Sequence, residues 1–144
     1  MSNLNLRDLS KKMAELDFTM MTTRSPNGTL TARPMSNNGD VEYQGDGYFF
    51  AYGNSRKIAD LRVDTHVTLS YTGAVGMLSG PPLFVTVEGV AELIEDKATF
   101  AAHWTKDLDR YFTDGIDIPG VMMIRIDAEV IRYWDGSDEG EITI

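Results

Sequence analysis

Two basic residues and a serine lie where a short strand gives way to a helix, and these residue types commonly bind phosphate. Ser55, Arg56 and Lys57 follow an aromatic run, residues 48–52, that is short enough for a buried strand. Cations at a helix N-terminus face the positive end of the helix dipole, which is unfavourable unless an anion is bound there. Free backbone N–H groups, the Ser55 hydroxyl and two cations would together hold a phosphate. The spacing therefore indicates a phosphate site, although it is equally typical of a helix that begins with exposed basic residues.

Composition limits the kinds of partner that the chain is expected to have. The 144 residues suffice for one domain with its own core, and we predict a single domain over residues 1–144. The 42% hydrophobic and 24% charged fractions are those of ordinary globular proteins. A net charge of −9 argues against nucleic-acid or anionic-membrane partners. In so acidic a chain, a local cluster of Arg and Lys is informative.

The residue types that are missing restrict the chemistry. The chain has no cysteine, which removes disulfides, thiolate nucleophiles and thiolate metal ligands, and is compatible with a reducing cytoplasm. No stretch resembles a signal peptide or a membrane span, so we expect a cytoplasmic protein without membrane contact. His66 and His103 are isolated from carboxylates at metal spacing, and we predict no metal site. We predict no catalytic side chain either, so redox chemistry would require a bound cofactor.

Hydrophobic periodicity and turn residues predict a mainly β chain with a few helices. Helices are expected over residues 6–17, 55–63 and 96–112, and strands over residues 18–24, 29–35, 48–52, 66–72, 83–93, 121–126 and 129–134. Asn5 and Ser55 are the predicted N-caps, and Gly89 within a long strand predicts a bulge or a sharp bend. Connections of hairpin length favour a small antiparallel barrel, and no Gly-x-Gly-x-x-Gly motif supports a dinucleotide-binding fold.

Four short motifs occur in a fixed order along the chain. They are Ala-Arg-Pro-Met at residues 32–35, Phe-Ala-Tyr-Gly-Asn-Ser-Arg-Lys at residues 50–57, Val-Glu-Gly-Val-Ala-Glu at residues 87–92 and Tyr-Trp-Asp-Gly at residues 133–136. In this order and spacing the chain resembles the flavin-binding split-barrel family that includes the pyridoxamine 5′-phosphate oxidases, and within it the general stress protein 26 branch. The resemblance implies an antiparallel split β-barrel that binds FMN, with FAD as the alternative, at a homodimer interface.

The resemblance also implies which residues contact the cofactor. They are Arg33, Pro34, Met35, Phe50, Ala51, Ser55, Arg56, Lys57 and Trp134. Arg33 and residues 55–57 would hold the phosphate, and the other residues would line the ribityl chain and the ring system. Trp134 would come from the second subunit. The aromatic residues Trp104, Tyr111 and Phe112 either cap the cofactor from the partner subunit or pack in the core.

Two departures from the family pattern count against vitamin B6 oxidase activity. The oxidases carry a substrate-binding Arg-Leu-His segment where this chain has the acidic residues 137–141, and a flavin-contacting Gln is replaced by Phe84. One hypothesis is therefore a homodimeric FMN oxidoreductase with a different substrate. A second is a flavin-binding stress or sensor protein with little turnover, and a third is that the same barrel holds a deazaflavin or haem. Enzymatic activity is left open.

Overall fold

A computed structural model describes residues 4–36, 45–73, 81–112 and 115–144 of the chain. Its strands are β1 (Phe18–Arg24), β2 (Leu30–Ser36), β3 (Asp46–Tyr52), β4 (His66–Thr72), β5 (Leu83–Ile94), β6 (Val121–Asp135) and β7 (Asp138–Thr143). Its α-helices are α1 (Leu6–Met13), α2 (Arg56–Val63) and α3 (Lys97–Phe100), and single 3₁₀ turns span Lys106–Arg110 and Gly115–Asp117. Within these ranges no helix is long and apolar enough to cross a membrane.

The described strands form one seven-stranded antiparallel sheet. The strand order is β2-β1-β4-β5-β6-β3, and β7 pairs with the C-terminal part of β6. Alternate side chains of β1, β4 and β5 are buried, as expected for strands with one face toward a core. The mainly antiparallel arrangement predicted from the sequence is therefore confirmed.

Helix α2 is held against the sheet by two apolar side chains. Ile58 and Leu61 are almost fully buried in the main core, and α2 packs on β1 and β5. Burying each of these side chains contributes about 1.5–3 kcal/mol relative to leaving it exposed. Because Arg56 and Lys57 form the first turn of α2, the same contacts fix where the two cations lie.

Strand β6 contains a β-bulge opposite Gly89, at the point where the sequence predicts a break between two strands. Glu88 pairs with Val130 and Gly89 pairs with Ala128, so Glu129 is an extra residue in β6. The irregularity expected at Gly89 is confirmed, but the two strands predicted over residues 121–126 and 129–134 are one continuous strand. A Cβ on Gly89 would collide with the carbonyl oxygen of Asp127, which explains why the position carries no side chain.

Replacing Gly89 with alanine is expected to destabilise the fold by about 1–3 kcal/mol, since the obstructing atom belongs to the backbone and a whole strand must shift. Urea unfolding should show a lower midpoint with an unchanged slope. Glu92→Ala on the exposed side of the same strand is the control. An unfolding midpoint for Gly89→Ala equal to that of the wild type would contradict the close approach.

The helix predicted over residues 96–112 is wrong for most of its length. Asp96 caps α3, its Oδ1 accepting from Ala98 N at 3.1 Å, but this helix ends at Phe100. Beyond it the chain folds over the sheet so that Phe100 and Trp104 pack on Phe50, with ring centroids 5.4 and 4.8 Å apart. An apolar residue at every fourth position is typical of a helix, yet here it serves a compact segment that covers a second small core around Phe50.

Strand β7 was not predicted. Asp138, Glu139 and Glu141 are residue types that are depleted in strands, so the sequence indicates only an acidic segment there. The turn at Gly136, which has φ of 67°, brings it back along β6. The acidic residues are therefore ordered on the edge of the sheet.

Candidate functional site

Backbone hydrogen bonds hold the turn between β3 and α2, one of them to the residue just before β6 and one within the turn itself. Gly53 N donates to Gly120 O at 2.7 Å, and Ser55 N donates to Tyr52 O at 3.0 Å. Ser55 occupies the N-cap position with an extended backbone, as predicted, but its side chain makes no capping hydrogen bond. Its Oγ is buried and has no hydrogen-bond partner among the described residues. A buried polar atom left in this way costs about 1–3 kcal/mol, so the Ser55 hydroxyl is available to a ligand.

Lys57 is the second polar group of this turn. Its side chain is half-buried, and it forms no ion pair with any carboxylate in the described part of the chain. Burial lowers the pKa of Lys57 below its ordinary value, and the nearby charge of Arg33 lowers it further. A partly desolvated ammonium group of this kind is stabilised by an incoming anion.

Ser55 and Lys57 open into a cavity of about 290 Å³. Its lining is otherwise mainly apolar and aromatic: Phe18, Pro34, Met35, Ser36, Phe49, Phe50, Ala51, Tyr52, Leu108, Tyr111 and Phe112. The structure thus brings together six of the nine residues expected at a cofactor site, namely Pro34, Met35, Phe50, Ala51, Ser55 and Lys57. A cationic and hydroxyl-bearing edge beside an apolar space is suited to a ligand with an anionic group and a flat ring.

Arg33 lies beside this cavity and is bound by protein groups. Its Nη1 donates to Thr23 Oγ1 at 2.7 Å and to Met21 O at 3.3 Å, and its Nη2 lies 3.6 Å from Asp60 Oδ2. Burial lowers the pKa of Arg33, an effect that the Asp60 carboxylate opposes and the Arg56 charge reinforces. The guanidinium does not line the cavity directly, but its charge acts on Lys57.

Arg56 does not line the cavity. Its side chain is exposed, and Nη2 donates to Ser25 Oγ at 3.3 Å, at the start of the turn between β1 and β2. Its charge acts on the neighbouring Arg33.

Trp134, the last of the predicted cofactor contacts along the chain, lies on β6 and apart from the residues that line the cavity. It is 38% exposed on the outer face of β6, paired with Phe84 of β5 and Glu139 of β7. Trp134 does not line the cavity of its own chain. Trp134 and Phe84 are exposed neighbours on β6 and β5. Strand β4, whose Thr72 pairs with Phe84, separates them from the exposed Phe18 of β1, which lines the cavity.

No sequence motif predicts two further groups that lie near Arg33, namely Thr23 and Asp60. Both are almost fully buried, and their spacing from Arg33 in the sequence carries no motif. The sequence leaves Tyr111 and Phe112 either as cofactor neighbours from a partner subunit or as core residues. In the structure Phe112 packs in the second small core, and both residues line the cavity of the same chain.

Other candidate ligand groups lie elsewhere. Within the described ranges no group of three or more His, Cys, Asp or Glu side chains is placed to hold a metal ion. His66 Nδ1 lies 2.8 Å from Asp64 Oδ1, and the ring of His103 stacks on Tyr48 at a centroid distance of 3.5 Å. Neither histidine lines the cavity.

A family model described as pyridoxamine 5′-phosphate oxidase like matches residues 5–144. The chain belongs to this family. Among curated proteins, protein bli-3 of Neurospora crassa is 28% identical over 137 residues, which are 89% of this chain and 63% of that protein. The chain therefore spans less than two thirds of the length of the Neurospora crassa protein.

Several solved structures have the same fold as this chain. A Clostridium acetobutylicum protein related to general stress protein 26 of Bacillus subtilis has a TM-score of 0.76 at 19% identity, covering 98% of this chain and 97% of that one. A haem-binding protein from Mycobacterium smegmatis has a TM-score of 0.75 at 18% identity, covering 99% of this chain and 60% of that one. At these identities the likeness concerns the fold alone, and it confirms the predicted split-barrel class.

Proposed function

We propose that this chain binds FMN in the cavity beside the β3–α2 turn. FMN carries a phosphate monoester at one end and a flat, largely apolar ring system at the other. The observation that carries the proposal is the buried, unpartnered Ser55 Oγ next to the half-buried Lys57, at the edge of an apolar and aromatic cavity. The hydroxyl and ammonium groups suit the phosphate, and Met35, Phe50 and Ala51 suit the ribityl chain and ring.

The chain would act as a flavin oxidoreductase of the general stress type. When bound, FMN supplies hydride or electron-transfer chemistry, which no side chain of this protein provides. Ser55 and Lys57 would bind the phosphate, while Tyr52 and Phe112, whose ring centroids lie 5.1 Å apart, would shield the ring from water. No acid–base residue is assigned a catalytic role.

The experiment that tests this proposal is an absorption spectrum after reconstitution. Purified protein incubated with FMN and then desalted is expected to retain a perturbed flavin spectrum. FAD, in which the phosphate is esterified further, should be retained less well because Ser55 and Lys57 suit a terminal phosphate. Protein that remains colourless after incubation with FMN would refute the proposal.

A homodimer is proposed as the form that completes the site. At about 290 Å³ the cavity lies at the lower limit of pockets that enclose ligands of drug size, so one chain provides only part of the enclosure. Exposed aromatic rings lie at Phe18, which lines the cavity, and at the paired residues Phe84 and Trp134. A second copy seated on these residues would bury the exposed rings and bring its Trp134 to the flavin, as the family resemblance implies.

Replacing Trp134 with glutamate is expected to dissociate the dimer, because a buried carboxylate without a partner is strongly unfavourable. Sedimentation should show a species of twice the chain mass for the wild type and a single-chain mass for the variant. Val63→Glu is the matched control, since Val63 is also an exposed apolar residue but lies on α2. A wild-type protein that sediments as one chain at micromolar concentration contradicts the dimer.

Haem is a second candidate ligand, favoured by the haem-binding protein of similar fold. The cavity lining offers Met35, Tyr52 and Tyr111, residue types that ligate haem iron in other proteins. The same spectrum separates the candidates, because haem gives an intense Soret band and a deazaflavin lacks the flavin band pattern. A sensor with little turnover would bind FMN but fail to oxidise NAD(P)H at ordinary enzymatic rates.

The affinity for FMN is expected to fall at alkaline pH, starting below the ordinary pKa of lysine. Burial and Arg33 lower the pKa of Lys57 in the free protein, and only the protonated ammonium attracts the phosphate. Binding is therefore fully supported below this pKa and weakens as the pH rises through it. Fluorescence titrations from neutral to alkaline pH measure the effect. Lys57→Arg should abolish the alkaline fall, and an unchanged fall in that variant would assign the titration to another group.

A further inference from the structure

Helix α2 carries a buried carboxylate beside Arg33 that the proposed function does not use. Asp60 is 1% exposed on the sheet-facing side of α2, and it does not line the cavity. Its Oδ2 accepts a hydrogen bond from Thr23 Oγ1 at 2.8 Å and lies 3.6 Å from Arg33 Nη2. Burying a carboxylate costs several kcal/mol unless its surroundings compensate for the lost hydration. Because burying Asp60 is costly, we expect its carboxylate to have a role that an apolar residue could not fill.

The hydroxyl of Thr23 stands between the carboxylate and the guanidinium. It donates its single hydrogen to Asp60, so its lone pairs are left to accept from Arg33 Nη1 at 2.7 Å. An ionised carboxylate only accepts hydrogen bonds, and it therefore fixes the direction in which the hydroxyl points. Without Asp60 the hydroxyl would be free to rotate its hydrogen toward Arg33, which has nothing with which to accept it.

These contacts hold both Nη atoms of the Arg33 guanidinium. Nη1 is engaged by Thr23 Oγ1 and Met21 O, and Nη2 faces Asp60. A guanidinium has five N–H donors in a rigid plane, so donors remain for a ligand once the plane is held. The local charge is also suitable, because Arg33 interacts electrostatically with Arg56 and Lys57 as well as with Asp60, and three cations with one carboxylate leave two net positive charges near a phosphate dianion.

We propose that Asp60, acting through the Thr23 hydroxyl, is a positioning residue that holds the Arg33 guanidinium for phosphate binding. This inference rests on the proposed FMN site and on the contact between Arg33 and the phosphate that the family resemblance implies. The competing interpretation is that Thr23, Asp60 and Arg33 form a structural network whose loss lowers stability alone. The two differ in whether the network distinguishes FMN from riboflavin, which has the same ring system but no phosphate.

The experiment is a double-mutant cycle on flavin affinity with the full-length protein. Thr23→Val removes the hydroxyl with little change in shape, and it is expected to weaken FMN binding about threefold to tenfold. Asp60→Asn should weaken FMN binding to a similar extent. Riboflavin affinity should not change in either variant. Thr23→Ser, which keeps the hydroxyl, should restore FMN affinity, and this rescue is independent of any general loss of stability.

The cycle is closed by Arg33→Ala. If Thr23 acts through Arg33, Thr23→Val should have no further effect on FMN affinity in the Arg33→Ala background. Additive losses, or equal losses for FMN and riboflavin in Thr23→Val and Asp60→Asn, would overturn the positioning role while leaving the phosphate site intact. An Arg33→Ala variant that folds and keeps the wild-type ratio of FMN to riboflavin affinity would overturn both the positioning role and the assignment of Arg33 to the phosphate.

Discussion

Lys57→Ala is expected to weaken FMN binding tenfold to a hundredfold while riboflavin binding stays nearly unchanged. The half-buried ammonium group of Lys57 has no described carboxylate partner, so its interaction with the phosphate is not shared with another anion. A charge-assisted hydrogen bond of this kind contributes about 1.5–3 kcal/mol, which gives the expected range. Fluorescence titration with each flavin measures both affinities.

The matched control is Lys11→Ala, which makes the same change of charge and side chain on the exposed face of α1. It should leave both flavin affinities at the wild-type value. If Lys57→Ala weakened FMN and riboflavin binding equally, the residue would act through folding, and the assignment of the phosphate to this turn would fail. Lys57 is a cleaner test than Arg33, whose removal also leaves the buried Asp60 without its cation.

The FMN-loaded protein is expected to oxidise pyridoxine or pyridoxamine 5′-phosphate negligibly. Such a substrate carries a dianionic phosphate, which requires cationic donors opposite the flavin. In the proposed dimer that place is occupied by Trp134 and its neighbours on β7, where Glu139 lies directly opposite Trp134 and Asp138 opposite Asp135. Glu141 contributes less repulsion than its position in the sequence suggested, because its Oε2 accepts from Arg132 Nε at 3.1 Å.

Two effects combine to weaken binding of the substrate phosphate. Each unpaired carboxylate adds repulsion of order 1 kcal/mol, and a missing charged donor costs about 1.5–3 kcal/mol more. Together they lower the affinity by about two to four orders of magnitude. Aerobic incubation with either substrate, followed by the absorbance of pyridoxal phosphate, measures the activity. Sustained product formation at micromolar substrate would refute the role assigned to the acidic strand.

The sequence predicted best where a local interaction determines the structure. Asn5 caps α1 as expected, its Oδ1 accepting from Asp8 N at 2.8 Å, and Gly89 marks the bulge because no side chain is possible there. The sequence-based prediction failed where packing between distant residues determines the backbone conformation. The repeat of Phe100, Trp104 and Phe112 predicts a helix, but contact with Phe50 and with one another is satisfied by a different backbone path.

The candidate site divides in the same way. The strand-to-helix turn with Ser55 and Lys57 has a local motif, and the structure places both at one cavity. Whether they bind a phosphate stays a prediction. Asp60 has no such motif, since an acidic residue four positions after Arg56 on a helix suggests a surface ion pair. Only the packing of α2 on β1 turns that carboxylate inward to Thr23.

The length of β6 determines which parts of the molecule open together. Its 15 residues hydrogen-bond to β5 on one side and to β3 and then β7 on the other. Amide hydrogens in the middle of such a strand exchange with solvent only when several strands separate, so they report global unfolding. In the described part of the segment from α3 to the second 3₁₀ turn, residues 97–112 and 115–117, side chains rest on β6 and on Phe50, and few backbone hydrogen bonds reach the sheet. A ligand in the cavity would therefore slow exchange first in that covering segment and in the turn before α2, while the amides of β6 would change only by the amount that binding adds to overall stability.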